Sequence, residues 1–162
     1  MSEIFSGGCQ CGAVRFRVEG PVHHASICNC RMCQKAFGNL MAPFASFKAK
    51  VEWTRGRPTL FRSSQAVRRG FCNRCGTPLT YQIGDGNPAL AIGAFDRVND
   101  IVPTIEFARE NRHPVMSNRD ALAAEELGST DEERNMLAIL RSFQHPDHDT
   151  DNWVARGGDA DD

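Results

Sequence analysis

The chain has 162 residues, 41% of them hydrophobic, and a formal net charge of −1. That suits one cored domain with an appendage and excludes global disorder, while no apolar run approaches the ~20 residues that a bilayer span needs. The near-neutral total hides a gradient: residues 1–116 carry 15 Lys and Arg against 8 Asp and Glu, a net of +7, and residues 117–162 carry 4 against 12, a net of −8.

Residues 1–8 show neither a basic nor an apolar leader region, so a cytoplasmic location is expected. Gly7-Gly-Cys9-Gln-Cys11-Gly12 opens the first cysteine block. Residues 13–19 then alternate, with Val14, Phe16 and Val18 on one face and Arg15, Arg17 and Glu19 on the other, which predicts a half-buried strand ended by Gly20-Pro21. Cys28-Asn-Cys30-Arg-Met-Cys33 follows. Residues 33–37 predict a helical turn stopped by Gly38-Asn39. Short strands are predicted at 41–47, 51–53, 59–63, 66–71, 79–83, 90–93 and 104–108, separated by turn signals at 55–58, 84–88 and 96–100. Cys72-Asn-Arg-Cys75-Gly76 interrupts this run of strands. Many short strands with frequent Gly and Pro point to a mainly β domain over residues 5–116, a sandwich or folded-over sheet.

The character changes after Met116. Ser117 or Asn118 can cap a helix through Leu127, with Gly128 ending it. Thr130-Asp-Glu-Glu133 matches a capping box, and Met136, Leu137, Ile139, Leu140 and Phe143 recur at helical spacing. A helical extension over 117–144 is therefore expected, its apolar stripe packed on the sheet; the alternative is a partner contact, such as a homodimer. Residues 145–162 are polar and acidic and read as a frayed, flexible tail rather than a metal-binding His/Asp cluster.

The seven cysteines, at 9, 11, 28, 30, 33, 72 and 75, are odd in number, which argues against a disulfide framework and for metal. In Cys72-x-x-Cys75-Gly76 two thiolates three residues apart can grip one ion, and the glycine permits the tight turn between them. Cys9 and Cys11 can complete a closed four-thiolate site, although spacing alone leaves open which pair joins which. Cys28, Cys30 and Cys33 then remain as a set of three. Three protein ligands suit a catalytic zinc with an exchangeable fourth position. A closed second site with His23, His24, His113 or a carboxylate as fourth ligand is equally compatible with the spacing. A thioredoxin-like role for Cys30-Arg-Met-Cys33 lacks the βαβ context that chemistry needs.

Together, Gly7-Gly-Cys-Gln-Cys-Gly12, Cys28-Asn-Cys-Arg-Met-Cys-Gln-Lys35 and Phe71-Cys-Asn-Arg-Cys-Gly-Thr-Pro-Leu79 resemble the three cysteine blocks of the glutathione-dependent formaldehyde-activating enzyme family, whose domain also occurs in centromere protein V. Ile92-Gly-Ala-Phe-Asp96 and Ile105-Glu-Phe-Ala-Arg109 resemble its later strands, so the likeness covers roughly residues 5–115. The resemblance implies an Mss4-like fold of short antiparallel strands and hairpins around zinc, here with a C-terminal helical appendage. It implies two zinc ions per chain: a structural one on Cys9, Cys11, Cys72 and Cys75, and a catalytic one on Cys28, Cys30 and Cys33. The implied reaction adds the glutathione thiol to formaldehyde, giving S-(hydroxymethyl)glutathione, formally a carbon–sulfur lyase chemistry.

A free thiol near pKa ~8.5 is mostly protonated at neutral pH, so the reaction needs a means of forming thiolate. The two carboxylates of glutathione need cations, and the basic body offers Arg31, Arg68, Arg69, Arg74, Arg109 and Arg112. Arg31 and Arg74 lie inside cysteine blocks and are the expected contacts. His113 and Glu106 are the acid/base candidates. Two other function classes fit the residues: a zinc-dependent binding module without catalysis, and a nucleic-acid-binding zinc protein. The single Tyr and two Trp offer few stacking platforms, and the acidic segment competes with phosphate, so nucleic acid is not an expected partner.

Overall fold

A computed structural model describes residues 3–155. In chain order its elements are β1 (Ile4–Gly8), β2 (Arg15–Glu19), β3 (Val22–Cys28), α1 (Arg31–Phe37), β4 (Ala42–Phe47), β5 (Glu52–Arg55), β6 (Thr59–Arg62), β7 (Val67–Phe71), β8 (Pro78–Ile83), β9 (Ala89–Ala91), β10 (Ile105–Phe107) and α2 (Asp131–Ile139). The strands form two sheets. One has the order β1-β2-β5, and the other runs β10-β3-β4-β9-β8-β7-β6. The protein is mainly β, and both sheets are built from residues 4–107.

The alternation in β2 sets the core. Phe16 and Val18 are buried, and Phe16 meets Phe95 edge-on at 5.0 Å between ring centroids. Phe5 packs on Phe47 at 5.4 Å, joining the small sheet to the large one, with Leu79, Leu90 and Ile101 filling the remainder. The opposite face of β2 is not wholly solvated as its pattern predicts. Arg15 is buried and grips Asp96 with both terminal nitrogens, at 2.7 and 2.6 Å, while Asp149 lies 2.6 Å from the same guanidinium.

Two strands lack the pattern that would have announced them. In β1, Ser6-Gly-Gly carries almost no side chain, because Gly7 lies against the Phe16 ring: a Cβ there would sit 2.6 Å from Phe16 Cζ. In β3, Val22-His-His-Ala-Ser-Ile-Cys28 has polar residues on both faces, yet it lies between β4 and the short parallel strand β10. The register of β10 places Glu106 opposite Ile27 and Phe107 opposite Cys28, beside the second cysteine block.

The C-terminal third differs most from expectation. No α-helix spans 117–127; only 3-10 turns form, at Pro114–Ser117 and Arg119–Ala121. An isolated helix of that length is marginal without a packing face, and Leu122 and Leu127 find none. The capping box does form: the Thr130 hydroxyl accepts from the Glu133 amide, and the Glu133 carboxylate accepts from the Thr130 amide. However, the apolar stripe does not pack on the sheet. Met136, Ile139, Leu140 and Phe143 are exposed, because the core is completed by residues of the sheets and knuckles and takes none from α2.

Burial alone would raise the Asp96 carboxyl, but hydrogen bonds from Arg15 and Ser6 outweigh it and hold the group below its usual range. Its contribution is therefore complete at neutral pH and disappears as acidification passes through the folded-state pKa. Asp96→Asn leaves the buried Arg15 with only the half-exposed Asp149 as counter-ion. Urea unfolding at neutral pH should show a loss of about 3 kcal/mol, and the variant should lose less further stability in acid than the parent.

Candidate metal centres and their cleft

The first centre forms where two tight turns meet. Gly12 and Gly76 follow the second cysteine of their blocks at φ +73° and +76°, a backbone region that side chains disfavour. The Gly12 amide donates to Cys9 O at 3.0 Å and the Gly76 amide to Cys72 O at 2.9 Å, closing both turns. The sulfurs of Cys9, Cys11, Cys72 and Cys75 all lie within 4.8 Å of one another. Cys9–Cys11 and Cys11–Cys72 are 3.6 and 3.8 Å apart, too long for disulfides. Those spacings match the ~3.8 Å edge of a tetrahedron with metal–sulfur bonds of ~2.3 Å. Burial pushes the Cys9 and Cys11 thiols up, whereas at Cys75 the Thr77 hydroxyl and backbone amides outweigh burial and lower the thiol to about 6. Buried thiols so close cannot ionise together without a cation. The donor set fits a soft metal and leaves it no exchangeable position.

Residues 145–155 are not frayed; residues 156–162 lie outside the described residues. The segment returns over the first turn. The His145 amide donates to Gln10 O at 2.7 Å, the buried His145 ring meets Trp153 edge-on at 4.8 Å, and Trp153 Nε1 donates to Cys11 O at 2.8 Å. Arg55 donates to Gly12 O at 3.2 Å and to Thr150 O. The docked segment thus meets Arg15 and Arg55 of the basic body through Asp149 and Thr150.

The second centre is built by β3 and α1. Cys28 ends the strand, Cys30 is the N-cap of the helix, and Cys33 lies in its first turn. Their sulfurs lie within 4.8 Å of one another, and among the described residues no His, Asp or Glu joins the group. The closed alternative with a histidine fourth ligand is thus not what the structure forms. His24 is near, lining the same cleft, but stacks at 5.9 Å on Phe107; His113 accepts the Val115 amide. Asn29, buried between the first two cysteines, fixes the loop: its amide donates to Phe107 O at 3.0 Å and its Nδ2 to Glu106 Oε1 at 2.9 Å. Arg112 pairs with Glu106 and, with Asn29 and Arg109, holds its carboxyl down to about 2. Glu106 is therefore ionised at neutral pH, anchors the loop through Asn29, and does not line the cleft.

The open side of the three cysteines faces a cleft of about 590 Å³ with walls that include Met32, Phe44, Val67, Tyr81 and Phe107. Burial pushes the Cys33 thiol up to about 12 despite opposition from Arg69; at Cys30 the Cys33 amide and neighbouring thiols outweigh burial and bring the thiol down. Arg69 is the arginine in this cleft. Its Nη2 donates to Cys33 Sγ at 3.3 Å and its Nε to Ser63 Oγ at 3.0 Å, and the guanidinium lies 5.0 Å from the Tyr81 ring centroid.

The two arginines expected to contact glutathione lie elsewhere. Arg31 projects from the outer side of α1 and donates to Gln34 at 3.3 Å, and Arg74 donates to Ala155 O at 3.3 Å beside the first centre. Neither lines the cleft. Nearness in sequence to a cysteine does not decide which side of a turn a long side chain takes. Arg68 and Arg69 show the same ambiguity: adjacent strand residues face opposite ways, and Arg68 turns out to Asp85.

One closed group of four cysteines within a β framework, and one group of three beside a cleft, define a mainly β protein with two groups of cysteines that could each hold a metal ion. The family model of the glutathione-dependent formaldehyde-activating enzyme matches residues 4–111, and the chain belongs to that family. The family's description points to enzymes that act on formaldehyde with glutathione. The match contains both cysteine groups and stops before α2 and the docked segment.

Two measurements check this arrangement. Trp153→Ala should lower stability by about 2–3 kcal/mol in thermal unfolding, whereas replacing the exposed Asp151 by Ser should change it by less than about 0.5, a contrast that a frayed tail would not produce. Glu106→Ala should speed metal transfer to a chelator from the second centre by about 10–100-fold while the first centre releases at its original rate.

Proposed function

We propose that the chain is a zinc-dependent carbon–sulfur lyase-type enzyme that joins a thiol, glutathione or a close relative, to a small aldehyde such as formaldehyde, giving the S-(hydroxymethyl) adduct. The observation that carries this reading is the three-cysteine group with its fourth side open to the cleft, in a chain of this family. Cys28, Cys30 and Cys33 would hold the catalytic zinc, and Cys9, Cys11, Cys72 and Cys75 a structural one. When bound at the open centre, zinc supplies an exchangeable position that favours the thiolate form of an incoming thiol.

The chain's own groups account for the remaining requirements. Asn29 and Glu106 keep Cys28 and Cys30 in place, so that the open side always faces the cleft. The aromatic and aliphatic residues of the walls offer apolar surface beside the open centre, while the mouth of the cleft leaves it in reach of water. Arg69 brings a positive charge against Cys33 Sγ, easing the burial of several thiolates and of one more brought by the substrate. The partners of this reading are small molecules, a thiol and an aldehyde. A reducing, cytoplasmic setting would keep all seven cysteines available as thiols.

A metal count combined with an activity measurement tests the reading. The purified chain should hold two zinc ions, one lost more readily, and formaldehyde should disappear faster with glutathione than without it. Cys30→Ser should abolish the thiol-dependent rate while retaining the first zinc. A tight, fully sulfur-coordinated second zinc with no thiol-dependent turnover would sink the enzyme reading and leave a binding module.

A further inference from the structure

Arg69 is 8% exposed and forms no ion pair among the described residues. Its Nε is taken by Ser63 and its Nη2 by Cys33 Sγ. Its Nη1 is buried and finds no acceptor. Such a donor is expensive to leave unpaired, and buried arginine groups are normally satisfied. The Ser63 bond and the Tyr81 ring fix the plane of the guanidinium, and the Arg69 side chain lines the cleft.

We propose that Arg69, through Nη1, binds the oxygen of the aldehyde and stabilises the negative charge that develops there as the thiol adds; the proposal rests on the thiol–aldehyde reading above. The decisive consideration is reach. Nη2 lies 3.3 Å from Cys33 Sγ, so a thiol sulfur held beside the three cysteines would lie next to this guanidinium. The adduct oxygen is two bonds from that sulfur, whereas the carboxylates of a cysteinyl tripeptide are several bonds farther. Arg69 therefore faces the reacting carbonyl and not the thiol's remote anions.

In the addition, a sulfur lone pair forms the new carbon–sulfur bond and the carbonyl π pair moves onto oxygen. Arginine remains protonated throughout, so the oxygen takes its proton from water, balancing the proton released by the thiol. Nothing is oxidised or reduced: one thiol and one aldehyde give one hydroxyalkyl thioether. A charged donor on a buried, fixed side chain strengthens its bond as the oxygen gains charge, so it lowers the barrier more than it tightens substrate binding.

Arg69→Met retains the packing stem without the donors, and Arg69→Lys retains the charge without the fork. The methionine variant should keep its zinc content and lose about 10²–10³-fold in kcat. Its KM for glutathione should stay within about threefold of the parent, and the lysine variant should fall between the two in kcat. Calorimetric titration with formate, a one-carbon planar oxyanion, should show binding to the parent that weakens by about tenfold or more in Arg69→Met. An unchanged kcat overturns the proposal, and so does a loss confined to KM for glutathione, which would make Arg69 a carboxylate contact. If the parent shows no thiol-dependent turnover, the functional reading fails and formate decides Arg69 separately: equal binding to parent and variant overturns the oxyanion site. Should the methionine chain fail to fold, the lysine chain carries the same comparisons.

Discussion

Four thiols, three of them buried and Cys75 half-buried, drawn from the two ends of a long stretch of chain, impose the constraint on which the rest of this structure depends. Cys11 and Cys72 are 61 residues apart in sequence and their sulfurs 3.8 Å apart in space. One turn leads into β2 of the small sheet and the other joins β7 to β8 of the large one. A cation that converts these thiols to thiolates closes a long loop, and its binding energy is then folding energy. The aromatic core between the sheets and the entry to β2 are both set by that junction. The position of β7, and with it the placement of Arg69, follows from the same point.

Both centres are built from cysteine sulfur alone and differ through their surroundings. At the first, four sulfurs from two turns face one another, with the Val14 amide on Cys9 Sγ, the Thr77 hydroxyl beside Cys75 Sγ and Trp153 on the Cys11 carbonyl, so the group is closed. At the second, a strand end and the start of a helix supply three sulfurs from one side only, and a cleft occupies the other. The anchoring there is indirect: β10 lies parallel to β3 and brings Glu106 to Asn29. A carboxylate that resembles an acid or base in the sequence is consumed in holding a loop.

Charge is distributed on the same principle. The +7 of residues 1–116 is partly internal, since Arg15 and Arg69 are buried, one paired with Asp96 and one set against a cysteine. The −8 segment supplies Asp149 to Arg15 and Thr150 to Arg55. Body and segment thus meet through one ion pair, Arg15 with Asp149, and through hydrogen bonds from Arg55, while the net charge of −1 records only their total.

Much of this was legible from residue order, because the features concerned are local. Spacings of two and three between cysteines, a glycine after the second, alternation in β2 and the Thr130–Glu133 box are properties of a few consecutive residues, and short-range geometry decides them. β1 and β3 were hidden because one trades side chains for close approach to Phe16 and the other is specified by its neighbours. The expected helix over 117–127 lacks a face to pack on, and the expected loose tail finds one in the first cysteine turn. By itself the sequence determined which residues could bind metal, and how many. Only the tertiary structure decided that Cys9 and Cys11 meet Cys72 and Cys75, that three cysteines face a cleft, and that Arg69 rather than Arg31 or Arg74 stands beside them. The reason is physical: ligand spacing is a property of the chain, whereas the direction a long side chain takes depends on surfaces contributed from far along it.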